Sequence, residues 1–175
     1  MAMDTRVKRL LGWVAIAALV AFVLSHAPRG PAPDATFVTL KGEKVSLSQL
    51  RGKVVIVNFW ATDCPICNAE MPQMVETFNR YRERGLEFIA VAMPYDPPNY
   101  VLAYVEREKL PFKVALDPMA ELVRRFGDVK ATPTTFVIDK RGEIVEQIVG
   151  AADFPKLQRL LEEKLAEPDT VKGKG

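Results

Sequence analysis

The chain reads as an α/β domain, a central mixed β-sheet flanked by helices. Three observations predict this. Two short, nearly unbroken apolar runs rich in β-branched residues, "KVVIVNFWA" at 53–61 and "LEFIAVAM" at 86–93, suit strands buried on both faces. The segment between them has helical spacing. A strand–turn–strand pattern and an amphipathic helix then close the chain. With 175 residues, 49% hydrophobic and 26% charged, the chain fits one well-cored domain plus an apolar segment.

The N-terminus comes first. Residues 1–9 are basic, with Arg6, Lys8 and Arg9. Residues 10–24, "LLGWVAIAALVAFVL", carry no charge and would span about 23 Å as a helix, somewhat short of a bilayer core of about 30 Å. Including Ser25–Ala27 lengthens the run, so residues 10–27 read as a signal anchor or signal peptide. Three cations before it against a single Arg29 shortly after place the N-terminus in the cytoplasm and the rest outside. "SHA" at 25–27 offers a small-x-small cleavage site, but Pro28 would follow the cut. An uncleaved transmembrane anchor is therefore the preferred reading. It predicts a single-pass protein of the bacterial inner membrane with its domain on the periplasmic or extracytoplasmic side. Cleavage would instead release the domain into the periplasm. Residues 28–35 are rich in proline and alanine and read as a semi-rigid spacer.

The domain is expected over residues 36–166. "TFVTLKGEKVSL" at 36–47 alternates around Lys41–Gly42 and reads as an N-terminal β-hairpin extension. The 53–61 strand follows. A helix is expected from Pro65, suited to a first helical position, to about Arg84, with a kink at Pro72 and a stop at Gly85. After the 86–93 strand, "MPYDPPNY" reads as a loop, Tyr100–Lys109 as a helix, 112–117 as a strand and Met119–Phe126 as a short helix. Residues 134–139 and 143–150 form two strands across "KRG". Phe154–Ala166 is a last helix with Leu157, Leu160, Leu161 and Leu165 on one face. Residues 167–175 are a polar tail.

Composition narrows the chemistry. The net charge is +2, and no basic run is long enough to suggest nucleic acid. The single histidine, His26, precedes the domain, which argues against a Ser/His/Asp triad or a histidine metal site there. What remains is the cysteine pair, Cys64 and Cys67, in "NFWATDCPICNAEMP". Cys64 follows a buried strand and starts a helix, where free backbone N–H groups and the helix dipole favour a thiolate. Cys67 is one turn later and can attack a mixed disulfide on Cys64. Cys64 is then the nucleophile and Cys67 the resolving thiol, and the pair is itself the redox group, with no other cofactor. The competing readings are two structural cysteines or half of a zinc site, and the latter lacks spaced partner ligands.

"VVIVNFWATDCPICNAEMPQM" at 54–74 and "ATPTTFVIDKRGEIV" at 131–145 resemble the thioredoxin superfamily, most closely its TlpA/ResA-type membrane-anchored thiol–disulfide oxidoreductases. The likeness covers residues 36–166 in order, with 95–130 alike in layout only. It implies a thioredoxin-like fold and a cis peptide at Thr132–Pro133, which would set the Thr132 backbone beside Cys64 to pair with an extended client. It implies a protein-disulfide client, such as apocytochrome c, and resetting by a membrane electron conduit of the CcdA/DsbD kind.

Asn58 stands where thioredoxin has a buried aspartate. Glu70, three residues after Cys67, is the candidate to assist proton removal from it. The alternative is a surface glutamate of the first helical turn. Asp63 stands where a tryptophan is usual; either it opposes the thiolate or it points to water. Ile66 replaces the histidine of strongly oxidising relatives, which predicts a reductant. Ile66 and Pro65, with Trp60, Thr132 and Pro133, are expected to form the client-docking surface. Two other activities of this fold fit less well. The peroxidatic P-x-x-x-T-x-x motif fails at Val57 and Ala61. Copper(I) chaperones of the Sco type use wider cysteine spacing and a histidine.

Overall fold

The computed structural model of the chain describes Trp13 and residues 30–168. The remainder of the predicted anchor at 10–27, residues 1–9 and 28–29, and the end of the tail lie outside the described residues. Among those described, no helix is long and apolar enough to cross a membrane.

A six-stranded mixed sheet forms the centre, its strands in the spatial order Gly30–Pro31, Glu143–Val149, Thr134–Ile138, Val54–Trp60, Leu86–Ala92 and Lys113–Leu116. β4 (Val54–Trp60), β5 (Leu86–Ala92) and β6 (Lys113–Leu116) are parallel. β7 (Thr134–Ile138) and β8 (Glu143–Val149) continue it antiparallel, and β1 (Gly30–Pro31) covers the start of β8. All seven residues of β4 are buried, as expected of a central strand covered on both faces. The predicted hairpin is present as β2 (Thr36–Val38) and β3 (Lys44–Ser46), a separate two-stranded sheet. It reaches the main sheet through a Thr39–Ala115 bridge and the Leu40 N–H to the Val114 carbonyl, 2.9 Å.

Four helices complete the domain: α1 (Pro65–Tyr81), α2 (Pro98–Glu108), α3 (Glu121–Arg125) and α4 (Phe154–Ala166). Pro65 opens α1 as predicted, and a 3-10 turn, Arg82–Arg84, ends in left-handed Gly85. α1 runs through Pro72 as one element. α2 starts two residues earlier than expected, at Pro98, because "DPPN" supplies a proline for its first position.

The spacer is the main correction. Residues 30–35 are part of the domain and do not form a free linker. Gly30 and Pro31 pair with Ile144 and Glu143, Ala32 N–H bonds the Gly142 carbonyl, and Ala35 is buried. The start of the outer edge of β8 would otherwise be open, and an edge is where a strand proline is tolerated. Proline content suggested extension correctly, but not that the extended segment has a partner.

Candidate active site

The C-terminal ends of β4 and β5 point to one pole of the sheet, where loops after adjacent parallel strands converge. The loop after β4 carries the thiols. Cys64 is the N-cap of α1, and its sulfur accepts a hydrogen bond from the Cys67 N–H at 3.2 Å. The two cysteines form a disulfide with Cα atoms 5.3 Å apart. Cys67 is buried, and Cys64 is 9% exposed, the outer of the two. A sulfur at a helix N-terminus that already accepts an N–H is placed to hold negative charge when reduced.

Next to this loop lies the turn before β7. The Thr132–Pro133 peptide is cis, as the resemblance implied. Its geometry is held from both sides: Gly150 N–H donates to the Pro133 carbonyl at 2.8 Å, and the Thr134 hydroxyl to the Ala131 carbonyl at 2.7 Å. Asn58 is buried in β4 and donates from Nδ2 to the Thr135 hydroxyl at 2.9 Å. It serves as a neutral cross-strand tie.

Glu70 is buried, 6% exposed, and lies past the first turn of α1, so the surface-glutamate alternative falls. Its Oε2 accepts the Ala152 N–H, from the loop before α4, at 3.2 Å. Burial pushes the carboxyl above the ordinary carboxylate range, and the Ala152 N–H pulls weakly the other way. Asp63 is exposed, in keeping with a side chain pointing to water.

The expected docking surface holds only in part. Pro65 and Ile66 are exposed, Ile66 by 48%, and Thr132 is half-buried. Trp60 is not on the surface. It is fully buried, with its ring 4.9 Å from that of Tyr104. Trp60 ends a strand covered on both faces, so neither orientation would expose it. The Pro133 side chain is also buried, leaving Ala131 and Thr132 as the accessible part of that turn. Sequence reasoning missed Thr62, Asp96 and Asn68: two positions before Cys64, Thr62 donates to Asp96 and its carbonyl accepts from Asn68. Among the described residues, no group of three or more His, Cys, Asp or Glu side chains could hold a metal ion.

Comparison with known proteins agrees with this geometry. The Redoxin family model matches residues 28–161. The thiol-disulfide oxidoreductase ResA of Bacillus anthracis is 38% identical over 130 residues, 74% of each chain. That of Geobacillus kaustophilus is 38% identical over 131 residues, 75% of this chain and 74% of its own. A thioredoxin-family thiol:disulfide interchange protein from Chlorobium tepidum superposes with a TM-score of 0.71 at 34% identity, covering 80% of this chain and 98% of that one. StoA from Bacillus subtilis gives 0.63 at 26%, covering 74% and 98%. The chain therefore belongs to the Redoxin family, as a thioredoxin-fold thiol–disulfide oxidoreductase resembling ResA whose redox group is its own Cys64–Cys67 disulfide.

Proposed function

We propose that this protein is a membrane-tethered reductant of protein disulfides outside the cytoplasm. The observation that carries the direction is Ile66, exposed in the dipeptide between the thiols. An aliphatic residue there adds no charge or hydrogen bond to stabilise a thiolate, and a less stabilised thiolate makes a less oxidising couple. The Cys64 thiolate attacks one sulfur of the client disulfide, and the other client sulfur leaves as a thiolate. Cys67, deprotonated with help from Glu70, attacks the Cys64 sulfur. The second client thiolate departs, two electrons have passed to the client, and the Cys64–Cys67 disulfide remains. A membrane conduit of the CcdA/DsbD kind returns it to the dithiol. Apocytochrome c, whose haem-binding thiols must be reduced, suits such an enzyme as client.

The tether fits this role. Gly30 and Pro31 join β8 at Ile144 and Glu143, whereas its other end, Val149, pairs with Thr134 beside Pro133. The chain thus enters the domain at the pole opposite Cys64. An anchored domain would present its thiols away from its attachment.

The test is a redox titration of the full chain in detergent micelles. A potential near that of thioredoxin, about −270 mV, is the expected result; one near about −120 mV would make the protein an oxidant.

A further inference from the structure

We propose that Asp96 is a positioning residue for Cys64, acting through Thr62. Both carboxylate oxygens of Asp96 are used on this one residue. Oδ2 accepts the Thr62 N–H and Oδ1 accepts the Thr62 hydroxyl, each at 2.6 Å. The remaining polar group of Thr62, its carbonyl, accepts from Asn68 Nδ2 at 3.0 Å. All three polar groups of a residue two positions before the nucleophile are therefore fixed, two of them by short charge-assisted bonds.

The anchor is itself held. Asp96 is buried, 6% exposed; its N–H bonds the Met93 carbonyl, and Met93 N–H bonds the Trp60 carbonyl, both at 2.9 Å. Asp96 thus ties the loop after β5 to the loop after β4. On the far side of Thr62, Cys64 N–H returns to the Ala61 carbonyl at 3.2 Å. From Trp60 to Cys64 every residue but Asp63 has a backbone group in a hydrogen bond, and Asp63 turns its side chain to solvent. The consequence is chemical. The Cys67 N–H reaches the Cys64 sulfur only if Cys64 holds its N-cap position, and that contact stabilises the thiolate. A loop released at Thr62 would let the sulfur leave it.

The inference rests on Cys64 being the attacking thiol. The test is the rate of iodoacetamide alkylation of each cysteine against pH, read by peptide mass spectrometry on the reduced full chain in micelles. Asp96→Ala and Thr62→Val should each slow Cys64 alkylation at pH 7 about three- to tenfold and move its midpoint upward. Asp96→Asn, which keeps an oxygen for the Thr62 N–H, should stay within about twofold of wild type. The double variant Asp96→Ala/Thr62→Val should be no slower than Asp96→Ala alone, because the two act as one unit. If Asp96→Ala does not fold, Thr62→Val and Asp96→Asn still decide. Variants that lose thermal stability but alkylate like wild type would reduce Asp96 to a folding role and overturn the proposal. Faster alkylation in both Asp96 variants with no change in Thr62→Val would make it a bare charge, which also overturns it. A wild type whose Cys67 reacts first would remove the underlying assignment, and the proposal with it.

Discussion

The two poles of the sheet each bury a carboxylate, and the two are treated differently. At the pole away from the thiols, Asp139 directly follows β7. Its Oδ1 accepts the N–H groups of Arg141 and Glu143, each at 2.9 Å, and its Oδ2 takes the Arg141 guanidinium at 2.8 and 2.9 Å. At the thiol pole, Glu70 accepts one bond, at 3.2 Å. Asp96 and Asp117, the other buried carboxylates among the described residues, each accept two. A saturated carboxylate holds structure and has little capacity left for anything else. An under-satisfied one is held above its ordinary proton affinity and can still take a proton. Burial alone does not separate the two roles; the count of donors does.

The largest effect should come from breaking the saturated site. Asp139→Ala leaves two turn N–H groups without their acceptor. The Arg141 partner is half exposed and adds little. A loss of about 2–3 kcal/mol in urea unfolding is expected, at unchanged m-value and with unchanged turnover per folded molecule. A loss of turnover beyond the fraction unfolded would mean that the two poles are not independent.

Glu70→Gln should reverse the pattern. Below the pH at which Glu70 ionises, stability should change little, whereas above it the resolving step should slow about tenfold, equivalent to about 1.4 kcal/mol. Stopped-flow measurement of mixed-disulfide decay reads this directly. The pH dependence has a definite sign. A carboxyl whose folded pKa is raised above 4.5 binds its proton more tightly when folded, so its contribution to stability is full below about pH 4.5 and is lost as pH rises through the folded value. Wild type should therefore lose stability relative to Glu70→Gln over that interval, and its resolving rate should rise over the same interval. A flat difference in both would show that Glu70 is merely packed.

What was legible in the sequence follows from range. The strands from β2 onward, the α1 start at Pro65 and the Cys64–Cys67 pair are local patterns, and they stand where periodicity and spacing put them; β1, in the proline-rich spacer, has no such pattern. Glu70 could be placed near Cys67 by helical spacing, but its burial could not, because the covering Ala152 lies 82 residues away. In the sequence Asp96 reads as part of a loop. Its contact with Thr62 spans 34 residues and exists because Trp60 and Ala92 end adjacent parallel strands in register. The loop after a neighbouring parallel strand was the signal available for it. Closeness to the thiols suggests a docking role for Trp60, but the unbroken apolar run around it implies burial on both faces, and it is fully buried.

Asp63 gives the smallest effect and the sharpest control. It is a carboxylate at the same pole as Glu70, adjacent in sequence to Cys64, yet exposed. If proximity to the thiol decided influence, Asp63→Asn would lower the midpoint of Cys64 alkylation clearly. If burial and donor count decide it, water and salt screen the charge, and the midpoint should fall by well under about half a unit, less than about 0.7 kcal/mol. The same variant should leave the resolving rate and its pH dependence as in wild type, since Glu70 keeps its surroundings. A larger drop would place an exposed charge among the determinants of the thiolate, and the contrast between saturated and under-satisfied carboxylates would no longer be enough to sort function from structure at this pole.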